Sequence, residues 1–149
     1  MLSSEPVFRI HAELAEILQF GQTPYGERRV IDITGGRVEG RIQGRILPGG
    51  ADWQIGRRDG VSDIQARYSI ETDAGGRILV NSEGLRHGPA AVMERLARGE
   101  NVDPSLYYFR TVMRFETADP PSAWLNRILA LARGARRARA VDIDVYEVL

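Results

Sequence analysis

Arg37-Val38-Glu39-Gly40-Arg41-Ile42-Gln43-Gly44-Arg45-Ile46 alternates without a break. Val38, Gly40, Ile42, Gly44 and Ile46 fall on one side; Arg37, Glu39, Arg41, Gln43 and Arg45 fall on the other. A period of two is the spacing of a β-strand with one apolar face. The glycines on that face have no side chain to pack, so they mark strong coiling or the close approach of another backbone. The same period recurs to either side. Phe8, Ile10, Ala12 and Leu14 oppose Arg9, His11 and Glu13. Val30 to Ile33 leads into Thr34-Gly35-Gly36, which reads as a turn. Ile64, Ala66, Tyr68 and Ile70 oppose Asp63, Gln65, Arg67, Ser69 and Glu71. Asp73-Ala74-Gly75-Gly76 then reads as a hairpin turn that needs positive φ, with Arg77 to Gly84 as the returning strand.

Tyr107 to Thr117 and Ala140 to Val148 supply two more strands. Trp124 to Arg133 has helix-favouring residues, yet an antiparallel sheet needs a strand between Thr117 and Ala140. A short strand near Ile128 to Arg133 is therefore preferred. Pro89 to Arg98 is the one helix, opened by proline and stopped by Gly99. Many short strands with glycine-rich turns and one inserted helix predict an all-β, antiparallel, strongly coiled small β-barrel, a single domain over residues 1–149.

Composition narrows the function classes. The 20 basic residues, all arginine, balance 20 acidic ones. Zero net charge removes the long-range attraction that nucleic-acid or anionic-membrane binding uses. The cluster Arg133, Arg136, Arg137 and Arg139 is followed by Asp142 and Asp144 and reads as a solvated loop. There is no cysteine, hence no disulfide frame, thiolate nucleophile or zinc–thiolate site. The two histidines, His11 and His87, stand far apart without ligand spacing, so no metal is expected. Gly35-Gly36 and Gly49-Gly50 lack the lysine and the following helix of a phosphate cradle, so no cofactor is expected either. No apolar run approaches the ~20 residues of a membrane span, and Met1 to Leu14 lacks the features of a secretory signal. The expectation is a soluble, cytoplasmic protein.

Several blocks together carry a resemblance. Gly35 to Trp53, with its G-G-x-V-x-G-x-I-x-G-x-I-L-P-G-G-x-D-W pattern, resembles the hallmark segment of an uncharacterised bacterial family known as a domain of unknown function. Ala66 to Ile70, Asn81 to Arg86, Tyr107 to Thr111, Trp124-Leu125-Asn126 and Val145 to Val148 fit the same family. The resemblance spans nearly the whole chain. It implies a compact barrel of lipocalin-like or cyclase-like kind, often oligomeric, and no settled activity. Long exposed strands also seek partners, so a homo-oligomer is expected.

A small barrel can hold one ligand, and aromatic residues interleaved with arginine suit a small hydrophobic or aromatic carboxylate. Asp52 and Glu83 are the candidates for proton transfer, and Arg67 and Arg110 for orienting the ligand and stabilising its charge. Trp53, Tyr68, Asn81, Tyr108 and Asn126 are candidate ligand contacts. Each also has a plain structural reading. Asp52 can cap its own turn while Trp53 plugs the barrel end, Arg67 and Arg110 can form cross-strand ion pairs in water, and Asn81 and Glu83 can mark a polar strand end. The leading expectation is a cofactor-independent isomerase, cyclase or lyase. The alternatives are a non-catalytic ligand carrier and a structural or interaction protein. The state of the barrel interior separates them.

Overall fold

The alternating segments become strands of one continuous antiparallel sheet, and a computed structural model describes all 149 residues of it. The strands are β1 (Phe8–Leu14), β2 (Leu18–Thr23), β3 (Gly26–Gly40), β4 (Gly44–Ile46), β5 (Gly50–Gly56), β6 (Ser62–Thr72), β7 (Arg77–His87), β8 (Tyr108–Thr117), β9 (Ala130–Arg136) and β10 (Ala140–Glu147). β1 pairs with β10 along one edge and with β3 along the other, so the sheet closes on itself. The circuit runs β1, β3, then β4 and β5 in one position, then β6, β7, β8, β9, β10 and back to β1. That is an eight-position barrel. β2 lies outside the circuit, paired only with the start of β3.

The barrel is filled at one end and open at the other. Phe8, Ile10, Val38, Ile70, Ile78, Val80 and Met113 project inward from their strands and are almost wholly buried. Phe8 and Phe115 meet edge to face with centroids 5.8 Å apart, a favoured aromatic arrangement. The 3-10 turn Pro120–Arg127 follows β8 and closes this end with buried Leu125. At the opposite end, beyond β7, stands the helix α1 (Ala90–Ala97), bounded by Pro89 and by Gly99 at φ 79°. Its Met93 and Leu96 pack on a second small cluster of Ile64, Val102, Tyr107 and Phe109.

Two differences from the sequence pattern lie between Thr34 and Ile46. Arg37 to Ile46 is not one strand. β3 ends at Gly40, the chain turns through Arg41–Gln43, and β4 returns with Arg37 opposite Arg45 and Val38 opposite Gly44. Alternation survives a tight antiparallel turn, so periodicity alone does not reveal the reversal. Nor is Thr34-Gly35-Gly36 a turn; it lies inside β3. Gly36 has φ 138°, and a Cβ there would stand 2.0 Å from the carbonyl oxygen of His11. The glycine lets a 15-residue strand bend across β1, as barrel closure demands.

Candidate functional site

The inward parity of each strand decides which side chains meet. On β5, Asp52 and Gln54 point in and Trp53 points out. On β7, the inward set Ile78, Val80 and Ser82 continues through Gly84 to Arg86; on β9, Ala130, Ala132 and Gly134 continue to Arg136; on β3, Ile31 and Ile33 extend back to Arg29. The inward row thus changes from apolar to polar as it approaches the α1 end. Asp52, Ala66 and Ser82 are register partners across β5, β6 and β7. They mark the level where the filled core gives way to a chamber of about 50 Å³, walled by Ile31, Ile64, Ala66, Phe109 and Val141 among others. Beyond it a vestibule of about 820 Å³ opens beneath α1, with Met93, Leu96 and Ala97 on its wall. Ile31, Gln54, Arg86 and Arg136 line both spaces.

Asp52 sits on the chamber wall, 8% exposed. Its Oδ1 accepts from the backbone N–H of Gln65 at 2.9 Å, and its Oδ2 accepts from Gln54 Nε2 at 2.7 Å. Burial pushes the Asp52 carboxyl above the usual carboxylate range, while those two hydrogen bonds and the nearby guanidiniums of Arg86 and Arg136 pull the other way. The outcome is a carboxyl group with a raised pKa, facing a cavity. Three further polar atoms lining the chamber, Gln54 Oε1, the Tyr68 hydroxyl and Thr111 Oγ1, are buried without a partner in the protein. Buried polar groups seldom go unmatched, and these three face the chamber. Burial raises the Tyr68 phenol further above its already high pKa, so it stays a neutral hydroxyl.

Of the site residues singled out from sequence, Asp52 and Tyr68 line the chamber. The others do not. Arg67 and Asn81 are register partners whose strand positions face outward. Arg110 is exposed and donates to the backbone carbonyl of Phe109 at 3.0 Å, with its guanidinium 5.4 Å from the ring of Tyr108, which also faces out. Glu83 is exposed on the outer face of β7, and Trp53 is 40% exposed on that of β5. Asn126 is structural: its amide accepts from the backbone N–H of Thr117 at 2.8 Å and donates to the carbonyl of the same residue at 2.9 Å. The parity that places Tyr68 inside places Arg67 outside, and the parity of Phe109 does the same to Tyr108 and Arg110.

None of Gln54, Arg29, Arg86 and Arg136 is among the candidate site residues from sequence, where Arg86 reads as part of a polar strand end and Arg136 as part of a solvated loop, although the signal is present. Each lies on the inward parity of its own strand. Arg86 follows Ser82 and Gly84 by steps of two, and Arg136 follows Ala132 and Gly134 likewise. Ending β7 at Gly84 and treating Arg136 as loop cut both rows one step short. No three His, Asp or Glu side chains gather in a metal-holding group, and Asp52 is the single carboxylate on the chamber wall.

The family profile described as "Protein of unknown function (DUF3237)" matches residues 2–148. The chain belongs to the DUF3237 family. A relative in Rhodopseudomonas palustris, a UPF0311 protein, has a crystal structure that is 43% identical to this chain, covers 100% of it and 98% of its own length, and superposes with a TM-score of 0.93. A "beta-barrel like protein" from Acinetobacter baumannii is 41% identical, with 99% and 96% covered and a TM-score of 0.84. An enzyme from Penicillium herquei shares the fold more distantly, at 18% identity and a TM-score of 0.63 with 96% of each chain covered. This DUF3237 barrel has no helix long and apolar enough to cross a membrane.

Proposed function

We propose that the protein is a cofactor-independent enzyme that moves protons on a small hydrophobic or aromatic acid held in the barrel, as an isomerase, cyclase or lyase. The observation that carries this reading is Asp52, a buried carboxyl with a raised pKa on the wall of a cavity. A general base works best when its pKa lies near the working pH, and burial is the usual means of bringing a carboxyl there. The Asp52 carboxylate takes a proton from a carbon next to a carbonyl of the ligand, and the electron pair moves onto the carbonyl oxygen. The new carboxylic acid then returns the proton at another carbon, after ring closure, or to a leaving group. Gln54 and the Gln65 N–H hold the carboxyl in one orientation through both states. Tyr68 offers a neutral O–H toward the developing oxyanion. The fold accommodates catalysis elsewhere, in the Penicillium herquei enzyme, though that likeness is one of fold.

The test is solvent exchange. Enolisable aromatic oxo acids are incubated with the protein in D₂O, and deuterium entering the carbon next to the carbonyl is followed by NMR. The wild type accelerates exchange, and Asp52→Asn slows it by about 10²–10⁴-fold, the usual worth of a positioned base. A bound acid that exchanges equally fast with either protein would make the barrel a carrier and end the enzyme reading.

A further inference from the structure

We propose that Arg29, Arg86 and Arg136 form the seat for the anionic group of the barrel's ligand, a carboxylate borne on an apolar body. The seat deepens the reading above by saying where the acid group lies, but its evidence is separate from that for proton transfer. The three side chains come from β3, β7 and β9 and line the vestibule next to Asp52.

Ten of the twenty arginines have no carboxylate within 4.0 Å, and of those ten only Arg29, Arg86 and Arg136 are both half-buried and on the vestibule wall. Arg9, Arg37, Arg45, Arg57, Arg98 and Arg133 each have a carboxylate partner within 4.0 Å. Arg29, Arg86 and Arg136 have none, although each is partly buried. Arg29 donates one bond, to Ser62 Oγ at 3.1 Å, and its Nε is buried without a partner. Arg136 makes a single long bond to the carbonyl of Ala140 at 3.3 Å. Arg86 donates no hydrogen bond and only approaches the ring of Phe109, 5.5 Å from its centroid. A guanidinium carries five N–H donors in a planar fork, so most of the donors of this trio are unspent.

The charges around them do not balance. From β5 Arg86 and Arg136 face Asp52, whose own burial favours its neutral form; from just after the 3-10 turn Pro104–Leu106 they face Tyr107, a phenol. Glu16 and Glu27 stand on the vestibule wall without an ion pair to any of the three, and Arg139 adds a further positive charge there. Arg57 and Arg98, also on that wall, are held by Asp59 and Glu100. Burial and the like charges of Arg136 and Arg29 lower the Arg86 pKa to about 10. A bound anion reverses each of these penalties. The shape is provided for as well: a Cβ at Gly56 would come 3.2 Å from Arg29 Nη2, and one at Gly134 would press on the Phe109 ring at 2.8 Å. Beside the charges lie Ile31, Met93, Leu96 and Ala97. Positive forks against an apolar wall suit an amphiphilic acid, with the carboxylate on the forks and the hydrocarbon under α1.

The experiment titrates the intact protein at low salt with benzoate and hexanoate, and with inorganic phosphate and acetate as comparisons, by calorimetry. Benzoate and hexanoate are expected to bind more tightly than acetate or phosphate. Arg86→Gln and Arg136→Gln each weaken benzoate at least tenfold, and the exposed Arg45→Gln does not. Arg86→Gln should also melt at a higher temperature than wild type without ligand, which shows that the weaker binding is not misfolding. Asp52→Asn should leave benzoate binding in place, since the forks and not the carboxyl hold the anion. Phosphate binding more tightly than benzoate, benzoate affinity indifferent to Arg86 and Arg136, or no saturable binding of any carboxylate would each overturn the seat. Binding without solvent exchange would keep the seat and dismiss the proton-transfer reading.

Discussion

A phenol buried without a partner lowers stability, and Tyr68 is such a phenol: 3% exposed, its hydroxyl on the chamber and unmatched. Tyr68→Phe removes the hydroxyl and keeps the ring in the core. Leaving a buried polar group unpaired costs about 1–3 kcal/mol, so Tyr68→Phe should stabilise the ligand-free protein by about 1 kcal/mol in urea unfolding. A loss of stability instead would mean that the hydroxyl already has a partner in the folded protein. The same residue illustrates what sequence reveals at this scale. Tyr68 and its neighbour Arg67 are adjacent letters with opposite fates, because successive strand residues face opposite sides. The apolar row Ile64, Ala66, Tyr68 and Ile70 already marks the inward side. An arginine next to an aromatic attracts functional attention, but parity assigns Arg67 and Arg110 to solvent. Parity equally sends Arg86 and Arg136 inward, where a charged residue is the exception and therefore informative.

Strands with a clean apolar face were legible, and those without one were not. β1, β6, β8 and β10 fall where alternation puts them. β2 is exposed along nearly its whole length, so it has no buried face to announce it. β5 turns Asp52 and Gln54 inward, and these polar residues interrupt the pattern at the very place where the site lies. β3 was hidden differently, since its glycines look like turn residues and act as points of bending. That role is testable. Gly36→Ala places a Cβ against the His11 carbonyl at 2.0 Å and forces an L-residue to φ 138°. Backbone strain of this kind costs about 1–3 kcal/mol before any steric clash is counted. Gly36→Ala should therefore lose about 3 kcal/mol or more in equilibrium unfolding. Gly49, which has positive φ but open space around its Cβ position, should lose less on the same change. Equal losses at the two positions would show that the β1–β3 crossing tolerates a side chain.

For the molecule as a whole, the interior and the exterior respond to pH with opposite sign. On the surface, arginine partners hold the carboxyls of Asp59, Glu71, Asp73 and Glu100 below their ordinary range. Their contribution is present above the unfolded pKa and is lost as pH falls through the lowered folded one. Asp52 runs the other way. Its folded pKa lies above the ordinary value of 3.8 because burial disfavours the charged form. Between those two values the native state binds more protons than the unfolded chain, so Asp52's contribution is full below about pH 3.8 and is lost as pH rises through its folded pKa. Asp52→Asn removes this pH dependence. Its Oδ1 can keep the Gln65 N–H, and its amide can donate to Gln54 Oε1 once the Gln54 amide turns over, giving a partner to an atom that now has none. The melting temperatures of the two proteins should therefore run together in acid and separate as pH rises, with the variant the more stable, until the gap levels off above the folded pKa of Asp52. Saturating benzoate should leave the onset of that separation where it is and move the pH at which the gap levels off upward, because an anion on Arg86 and Arg136 weakens their hold on the Asp52 carboxylate. A gap that stayed constant with pH, or one that favoured the wild type in neutral solution, would mean that the guanidiniums outweigh burial. Asp52 would then be a fixed counter-charge of the barrel mouth and not its proton carrier.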